Sequence, residues 1–238
     1  MKVMDASELY DPEFRELIES EKPTIKIPVG SLEQHGAHLP ITTDSDIVTE
    51  IASRLAKKCG FIVFPTISYG FSVEHSPLFN TSLQTTTFRT VISNIINSLL
   101  ENGVDTLRIL NGHHGNVEPL YAYQRRPHLT KACFLQIHNY WQYMKHEFDH
   151  AGFVETSIML AISDKVKMKK AKKGLITKGL SDEEIQRIKK LSTKPGGFPK
   201  VAKNGVWGDP TGATKRDGEK FLAEIVRNLA GSCQECQT

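Results

Sequence analysis

Cysteine, net charge and long apolar runs are all scarce in this sequence. It has four cysteines in 238 residues and a net charge of +3. Four cysteines do not make a disulfide framework in a chain of this length, and Cys233 and Cys236 lack the second pair that a zinc site needs. The small charge argues against a nucleic-acid partner. No apolar run approaches the roughly 20 residues of a membrane helix, and Met1–Phe14 has no apolar signal core, so we expect a cytoplasmic protein with no membrane partner.

What the sequence does have is an alternation of short apolar stretches with longer segments of helical periodicity. This alternation predicts an α/β fold, a three-layer αβα sandwich whose mainly parallel sheet lies between helices. Hydrophobic residues make up 39% and charged residues 24%, which suits one globular domain over residues 1–238. The predicted strands are Thr24–Val29, Phe61–Pro65, Val104–Leu110 and Ala132–His138. Asp5–Glu19 is predicted to be a polar lead-in followed by a short helix. The other predicted helices are Ser45–Gly60, Thr85–Gly103, Val117–Arg125, Tyr140–Phe148, Val154–Ile162, Asp182–Leu191 and Lys215–Ala230.

Several side chains that can bind metals crowd the loop between the first predicted strand and the following helix. Open α/β sheets place their ligand sites at the carboxyl ends of strands. Carboxylate oxygens together with imidazole nitrogens suit Zn²⁺, Mn²⁺ or Fe²⁺. An ordinary polar loop is the alternative, which spacing alone does not exclude. The side chains are Glu33, His35, His38, Asp44 and Asp46.

Four short motifs, which span roughly residues 28–218, carry a resemblance to a known family. They are Glu33-Gln34-His35-Gly36-x-His38-Leu39-Pro40 followed by Asp44, then Asn111-Gly112-His113-His114-Gly115-Asn116, His150-Ala151-Gly152-x-x-Glu155-Thr156-Ser157, and Gly208-Asp209-Pro210-Thr211-x-Ala213-Thr214. All four occur in the family's order, and chance agreement of the whole set is remote. On these motifs the chain is identified as a member of the creatininase (creatinine amidohydrolase) family, whose fold we expect it to share.

The resemblance implies a centre of two divalent metal ions, Zn²⁺, Fe²⁺ or Mn²⁺. The positions that match the family's ligands are Glu33, His35, Asp44 and His113. Asp44 would bridge the ions, one of which also takes Glu33 and His113 while the other takes His35. Creatininase itself completes the second site with a Glu two residues after the matching His, but this sequence has Gly115 there. We expect Glu155 to supply the missing ligand; the alternative is an acid that merely favours the start of a helix.

Other residues of the motifs and loops receive roles through the same resemblance. His150 matches a histidine implicated in protonating the leaving nitrogen; the alternative is a surface histidine. His38 would orient a ligand rather than bind a metal. His114 stands where many relatives have Gly, so it would line the pocket or pack at its edge. Glu74 and His75, in the long loop Thr66–Leu83, would form part of the wall of the site.

The activity that the resemblance implies is hydrolysis of a non-peptide C–N amide bond of a small molecule by a metal-bridged hydroxide. Family substrates include creatinine, the formamide of a ribosylaminopyrimidine phosphate in riboflavin and deazaflavin cofactor synthesis, and a short peptide in mycofactocin maturation. Gly115 argues against creatinine. The segment Ser163–Lys178 has seven lysines and one acid, which is usually a solvated face but is compatible with a phosphorylated substrate and so favours the formamide. The alternative is a non-catalytic metal- or nucleotide-binding protein. The resemblance to the family also implies a homo-oligomer.

Overall fold

The computed structural model describes residues 4–124, 134–147 and 149–234. Its strands are β1 (Met4–Asp5), β2 (Ile25–Val29), β3 (Ile62–Val63), β4 (Thr106–Asn111) and β5 (Phe134–Asn139). They form one sheet in the order β1-β3-β2-β4-β5. Every neighbouring pair is parallel, as the sequence predicts.

Helices connect the strands and continue after the last one. They are α1 (Asp11–Ser20), α2 (Thr43–Cys59), α3 (Thr85–Glu101), α4 (Val117–Gln124), α5 (Phe153–Ile162), α6 (Asp182–Ser192), α7 (Phe198–Val201) and α8 (Lys215–Gln234). Among the residues described, none of these helices combines the length and apolar character needed to cross a membrane. Gly60 ends α2 in the left-handed conformation that glycine adopts easily, with φ of 73°.

The two faces of the sheet are covered by different helices, which confirms the three-layer prediction. Side chains alternate between faces along each strand. Buried residues of α2, α5 and α8 form one core with Val63 and Leu110. Buried residues of α1, α3 and α4 form the other core with Ile27, Ile109 and their neighbours on β2 and β4.

Two predicted helices differ from the structure. Tyr140–Phe148 was expected to be helical, but only Tyr140–Tyr143 forms a short 3₁₀ helix, and residue 148 lies outside the described residues. Gly231 was expected to end the last helix, yet α8 continues through it to Gln234. A glycine inside a helix costs only about 1 kcal/mol, which the packing of Leu229 and Cys233 in the core can offset.

The carboxyl ends of β2 and β4 lie side by side and begin the two loops that carry the first two motifs. Val29 is in register with Asn111, and the Gly112 amide donates to the Val29 carbonyl at 2.8 Å. A Cβ on Gly112 would lie 2.8 Å from the Asp44 carbonyl oxygen. The absence of a side chain there lets the end of β4 approach the first turn of α2.

Two buried cations lie on the inner face of the sheet under α2 and α8. Lys26 and Arg108 are neighbours across β2 and β4 and are 0% and 1% exposed. The Lys26 ammonium is 5.0 Å from the centre of the Phe61 ring, and the Arg108 guanidinium is 5.5 Å from it. Burial lowers the pKa of Lys26 to about 8. This ammonium therefore reduces the stability of the fold at neutral pH.

Candidate metal centre

The five predicted ligands come from four segments and meet in one buried place. Two lie on the loop after β2, one in the first turn of α2, one after β4 and one in the first turn of α5. All are buried, from 0% exposure for Glu33 to 4% for His113. Their burial excludes the alternative of an ordinary solvated loop. The residues are Glu33, His35, Asp44, His113 and Glu155.

Asp44 lies between two imidazoles and faces each with a different carboxylate oxygen. Its Oδ1 is 3.1 Å from His35 Nε2, and its Oδ2 is 3.1 Å from His113 Nδ1. A carboxylate that bridges two ions must present one oxygen to each side. The geometry therefore has the form that the bridging prediction requires.

The remaining ring nitrogen of each of these histidines contacts a backbone carbonyl, which can only accept a hydrogen bond. His35 Nδ1 donates to the Glu33 carbonyl at 3.1 Å, and His113 Nε2 donates to the Phe71 carbonyl at 3.0 Å. Metal-binding histidines commonly donate in this way through the nitrogen that does not hold the metal. Once they lose their protons, His35 Nε2 and His113 Nδ1 would therefore each present a lone pair on the side of Asp44.

Two triads of possible ligands share Asp44. One is Glu33, Asp44 and His113, and the other is His35, Asp44 and Glu155, each with its ligand atoms within 4.8 Å of one another. Glu155 Oε2 is 3.7 Å from His35 Nε2. Two ligands of a tetrahedral zinc ion lie about 3.3 to 3.6 Å apart for bonds of about 2.0–2.2 Å. The spacing of each triad fits a divalent ion, while the ligand roles themselves remain predictions.

Several of the carboxylate oxygens approach imidazoles without being aligned for hydrogen bonds. Glu33 Oε2 is 3.2 Å from His113 Nε2, and Asp44 Oδ2 is 3.1 Å from His113 Nδ1. Neither oxygen accepts a hydrogen bond from the described residues. Buried carboxylate oxygens are costly without a partner. Buried carboxylate oxygens that lack hydrogen-bond partners among the described residues suit the ligands of a cation.

The electrostatics of the site also suit a cation. Burial alone would lower the pKa of His35, but Asp44 opposes it and raises this pKa to about 10. His35 and His113 outweigh burial to hold the pKa of Asp44 well below its usual range. Burial raises the pKa of Glu155 to about 8. Without a metal, protons on His35 and Glu155 balance the buried charge, and a metal would have to displace them.

Glu155 also has the structural contact that the alternative interpretation predicts. Its Oε2 accepts a hydrogen bond from the Ala151 amide at 2.6 Å, just before α5. The same atom faces His35. Glu155 therefore both supports the start of α5 and points into the centre, so the capping contact does not exclude ligation.

His150 borders the centre and does not project into solvent. Its side chain is 13% exposed, and its Nδ1 lies 3.9 Å from Glu33 Oε1. Its ring packs against His35 with centroids 4.4 Å apart. Burial, together with the neighbouring His35, holds the pKa of His150 well below its usual range. The ring is therefore neutral, and the interpretation of His150 as a surface histidine is wrong.

Glu74 and His75 enter the centre more deeply than a wall position implies. Glu74 Oε1 is 3.3 Å from His113 Nε2, and His75 Nε2 is 3.1 Å from Glu33 Oε1. Both residues are buried in a short 3₁₀ turn, Val73–His75. The sequence marked these residues only as a glutamate next to a histidine in a long loop. Nothing in the sequence gave their distance from the other motifs.

Gly115 shows why the usual glutamate is missing from the second motif. A Cβ at this position would lie 2.4 Å from Glu74 Oε1 and 2.4 Å from His113 Nε2. The carboxylate of Glu74 fills the space where a side chain at 115 would begin. A glutamate at 115 would therefore collide with Glu74 unless the loop moved.

The remaining polar residues of the motifs support the loops or form the rim. His38 Nε2 is 2.9 Å from Thr156 Oγ1 and contacts no predicted ligand through a hydrogen bond. His114 stacks on Trp141 with centroids 4.1 Å apart and is exposed at the edge. Asn116 accepts from the Phe71 amide at 2.9 Å and donates to the Gly30 carbonyl at 3.0 Å, which joins two of the loops.

Comparison with known proteins gives consistent relatives. Residues 7–233 match the model of the family Creatininase, described as creatinine amidohydrolase. The chain is 33% identical over 228 residues to a mycofactocin precursor peptide peptidase of Mycobacterium ulcerans, covering 86% of this chain and 82% of the relative. It is 27% identical over 189 residues to the creatinine amidohydrolase of Pseudomonas putida, covering 68% and 72%. A solved manganese creatininase superposes with a TM-score of 0.82 at 24% identity and 98% coverage of both chains. A mutant creatininase of the Zn-Zn type gives 0.81 at 24% identity, covering 99% of this chain and 98% of that one.

Proposed function

Because the chain belongs to the creatininase family of metal-dependent amidohydrolases, we propose that it hydrolyses a C–N amide bond at a centre of two divalent ions. Asp44 would bridge the ions. The observation that carries this proposal is the position of Asp44 between His35 Nε2 and His113 Nδ1, each at 3.1 Å from its own carboxylate oxygen. Glu33 would complete the His113 side and Glu155 the His35 side.

Two divalent ions in such a site would supply an activated water and polarise the amide carbonyl. The protein's own residues must keep the metal-binding side chains in fixed orientations and transfer protons. The carbonyls of Glu33 and Phe71 fix the rings of His35 and His113. A buried hydrogen-bonded frame of this kind keeps the ligand geometry from relaxing when substrate binds.

His150 is the proton carrier in this proposal. Its Nε2 lies 3.1 Å from the Gln34 carbonyl oxygen, and a proton on Nε2 would leave the Nδ1 lone pair facing Glu33. The ring is neutral because its pKa is well below the usual range, so it can accept the proton of the attacking water. It then passes this proton to the leaving nitrogen.

Two substrate classes are supported by different observations. The phosphorylated formamide is supported by the basic segment 163–178, whose seven lysines are all exposed. This segment borders the site, because Leu175 and His150 both pair with Trp207. A short peptide is supported by the mycofactocin relatives, which are up to 33% identical. Gly115 disfavours creatinine itself.

The decisive experiment is a hydrolysis panel with metal-free protein reloaded with Zn²⁺, Mn²⁺ or Fe²⁺. The panel contains a formylaminopyrimidine phosphate, short peptides and creatinine; free amine release is measured for the first two and creatine formation for the third. We expect metal-dependent turnover of one of the first two classes. Binding of two ions with no turnover of any amide would instead favour a non-catalytic metal-binding protein. Size-exclusion chromatography with light scattering tests the homo-oligomer that the family resemblance supports.

A further inference from the structure

The carboxamide of Gln34 is held in one orientation between two histidines of the site. Its Oε1 accepts a hydrogen bond from the Gly36 amide at 3.0 Å, so the NH₂ group must point the other way. A Cβ on Gly205 would lie 1.8 Å from Gln34 Oε1. The backbone of the loop before Trp207 therefore packs directly on the carboxamide. Gln34 is 9% exposed, and the packing leaves it little room to rotate.

The amide nitrogen of Gln34 determines which nitrogen of His75 carries the proton. Gln34 Nε2 lies 2.9 Å from His75 Nδ1. Because this nitrogen has only hydrogens to offer, His75 Nδ1 must be the acceptor. A neutral His75 ring then carries its proton on Nε2, the nitrogen 3.1 Å from Glu33 Oε1.

His75 therefore differs from the two histidines predicted to be ligands. In His35 and His113 one ring nitrogen donates to a carbonyl, so the other nitrogen, once it has lost its proton, can present a lone pair on the side of Asp44. In His75 the remote nitrogen accepts, which leaves an N–H group facing the centre. A third triad, Glu33, Glu74 and His75, has metal-ligand spacing. The N–H group at His75 Nε2 has no lone pair to give to an ion in that triad.

This N–H group has no acceptor within the described residues. Glu33 Oε1 is close to it but accepts no hydrogen bond from those residues. His75 is 3% exposed, and Phe198 packs on its ring with centroids 4.6 Å apart. A buried, rigid donor beside the predicted ligands is suited to bind an oxygen that arrives with the substrate.

His150 is not locked in the same way, although it contacts the same residue. Its Nε2 lies 3.1 Å from the Gln34 amide nitrogen and 3.1 Å from the Gln34 carbonyl oxygen. Gln34 can therefore satisfy this nitrogen with or without a proton. One residue would fix the tautomer of His75 while leaving His150 free to exchange its proton.

We propose that Gln34 is a positioning residue that locks His75 as a neutral Nε2–H donor, and that this donor binds the carbonyl oxygen of the scissile amide. The inference rests on the proposed amidohydrolase function. His75 would then be a catalytic residue and not a third metal site.

The test is the histidine tautomer of zinc-loaded protein labelled with ¹⁵N-histidine, read from long-range ¹H–¹⁵N spectra. The His75 signal is assigned with His75→Asn, and the His35 ring serves as an internal reference. We expect a protonated Nε2 and a bare Nδ1 on His75. In Gln34→Glu the carboxylate accepts from His75 Nδ1, so the tautomer should reverse. Gln142→Glu, the same change at an exposed residue, should leave it unchanged.

Zinc content and kinetics complete the test. Gln34→Glu and His75→Asn should both lower kcat by about 10²-fold, as loss of one oxyanion donor does. His75→Asn should keep two zinc ions per subunit. A bare Nε2 on His75 in the wild type, or three zinc ions per subunit, would overturn the inference. Because tautomer and metal content need no turnover, they separate this result from a failure of the proposed hydrolysis.

Discussion

Loading the metal-free centre should release protons even at pH 8, where ordinary histidines have none to give. The pKa of His35 is raised to about 10, mainly because Asp44 outweighs the effect of burial. The pKa of His113 is also raised well above its usual range, because Glu33 and Asp44 outweigh burial. At pH 8 the His35 ring therefore still holds the proton that an ion must displace, and the raised pKa of His113 favours a proton on that ring as well.

The size of the effect follows from these values. His35, with a pKa of about 10, should release close to one proton at pH 8, and His113 should add to this because its pKa is also raised. Glu155, with its pKa raised to about 8 by burial, adds about half a proton. Displacing the His35 proton at pH 8 costs about 2.7 kcal/mol, since each pH unit below the pKa costs about 1.36 kcal/mol. The apparent affinity should therefore rise about tenfold per pH unit for each proton displaced.

The assay is a titration of chelator-treated protein with ZnCl₂ in weakly buffered solution, with protons counted by pH-stat. Ionisation of a metal-held water adds at most one proton, since its pKa is about 7. Release of two or more protons per subunit at pH 8 is the expected result. Glu155→Gln should release fewer, while the exposed Glu183→Gln should match the wild type. One proton or fewer would mean that His35 and His113 are already neutral, and the reasoning would fail.

Three further predictions follow from the same contacts. Asp44→Ala should remove both ions and all activity while the far-ultraviolet circular dichroism stays native, because both triads use Asp44; a variant that keeps two ions would exclude the bridge. His150→Gln should keep both ions but lower kcat by about 10² to 10⁴-fold, the usual contribution of a proton carrier, and normal turnover would remove it from the mechanism. Lys26→Met should raise the free energy of unfolding at pH 7 by up to about 3 kcal/mol, because burial lowers the Lys26 pKa from 10.5 to about 8. In urea melts the stability difference between the variant and the wild type should shrink from pH 8 to pH 10.5, because in that range the unfolded wild type binds a Lys26 proton that the folded state has lost.

The sequence predicts the layers of this fold well because each layer has a local signal. The stripe of Ile47, Ile51 and Leu55 marks α2, and all three residues are buried. Tyr140–Tyr143 shows where local signals fail. The sequence predicts a helix there, but Tyr140 packs into the core near α8 while Tyr143 approaches His138. Tertiary contacts determine the conformation of this segment, and such contacts cannot be read from the periodicity of the sequence.

The motifs likewise give the ligand candidates but not the distances between them. Glu33 and His113 are far apart in sequence, and only the register of β2 with β4 brings their loops together. The alternation of strands and helices along the sequence made it possible to predict that these two loops are neighbours. The lock on His75 was not predictable, because it depends on a 2.9 Å contact between side chains 41 positions apart.

Gly115 is the position where sequence and geometry have to be combined. The sequence shows that a carboxylate is missing there, and we predicted Glu155 as its replacement and Glu74 as part of the wall of the site. In the structure Glu74 occupies the vacated space but faces the His113 nitrogen that donates to a carbonyl. Glu155 instead lies 3.7 Å from His35 Nε2, the ring nitrogen that does not contact the Glu33 carbonyl. Glu155 also forms a triad with His35 and Asp44, which supports the prediction that it replaces the missing glutamate, whereas Glu74 fills the space that a side chain at 115 would need.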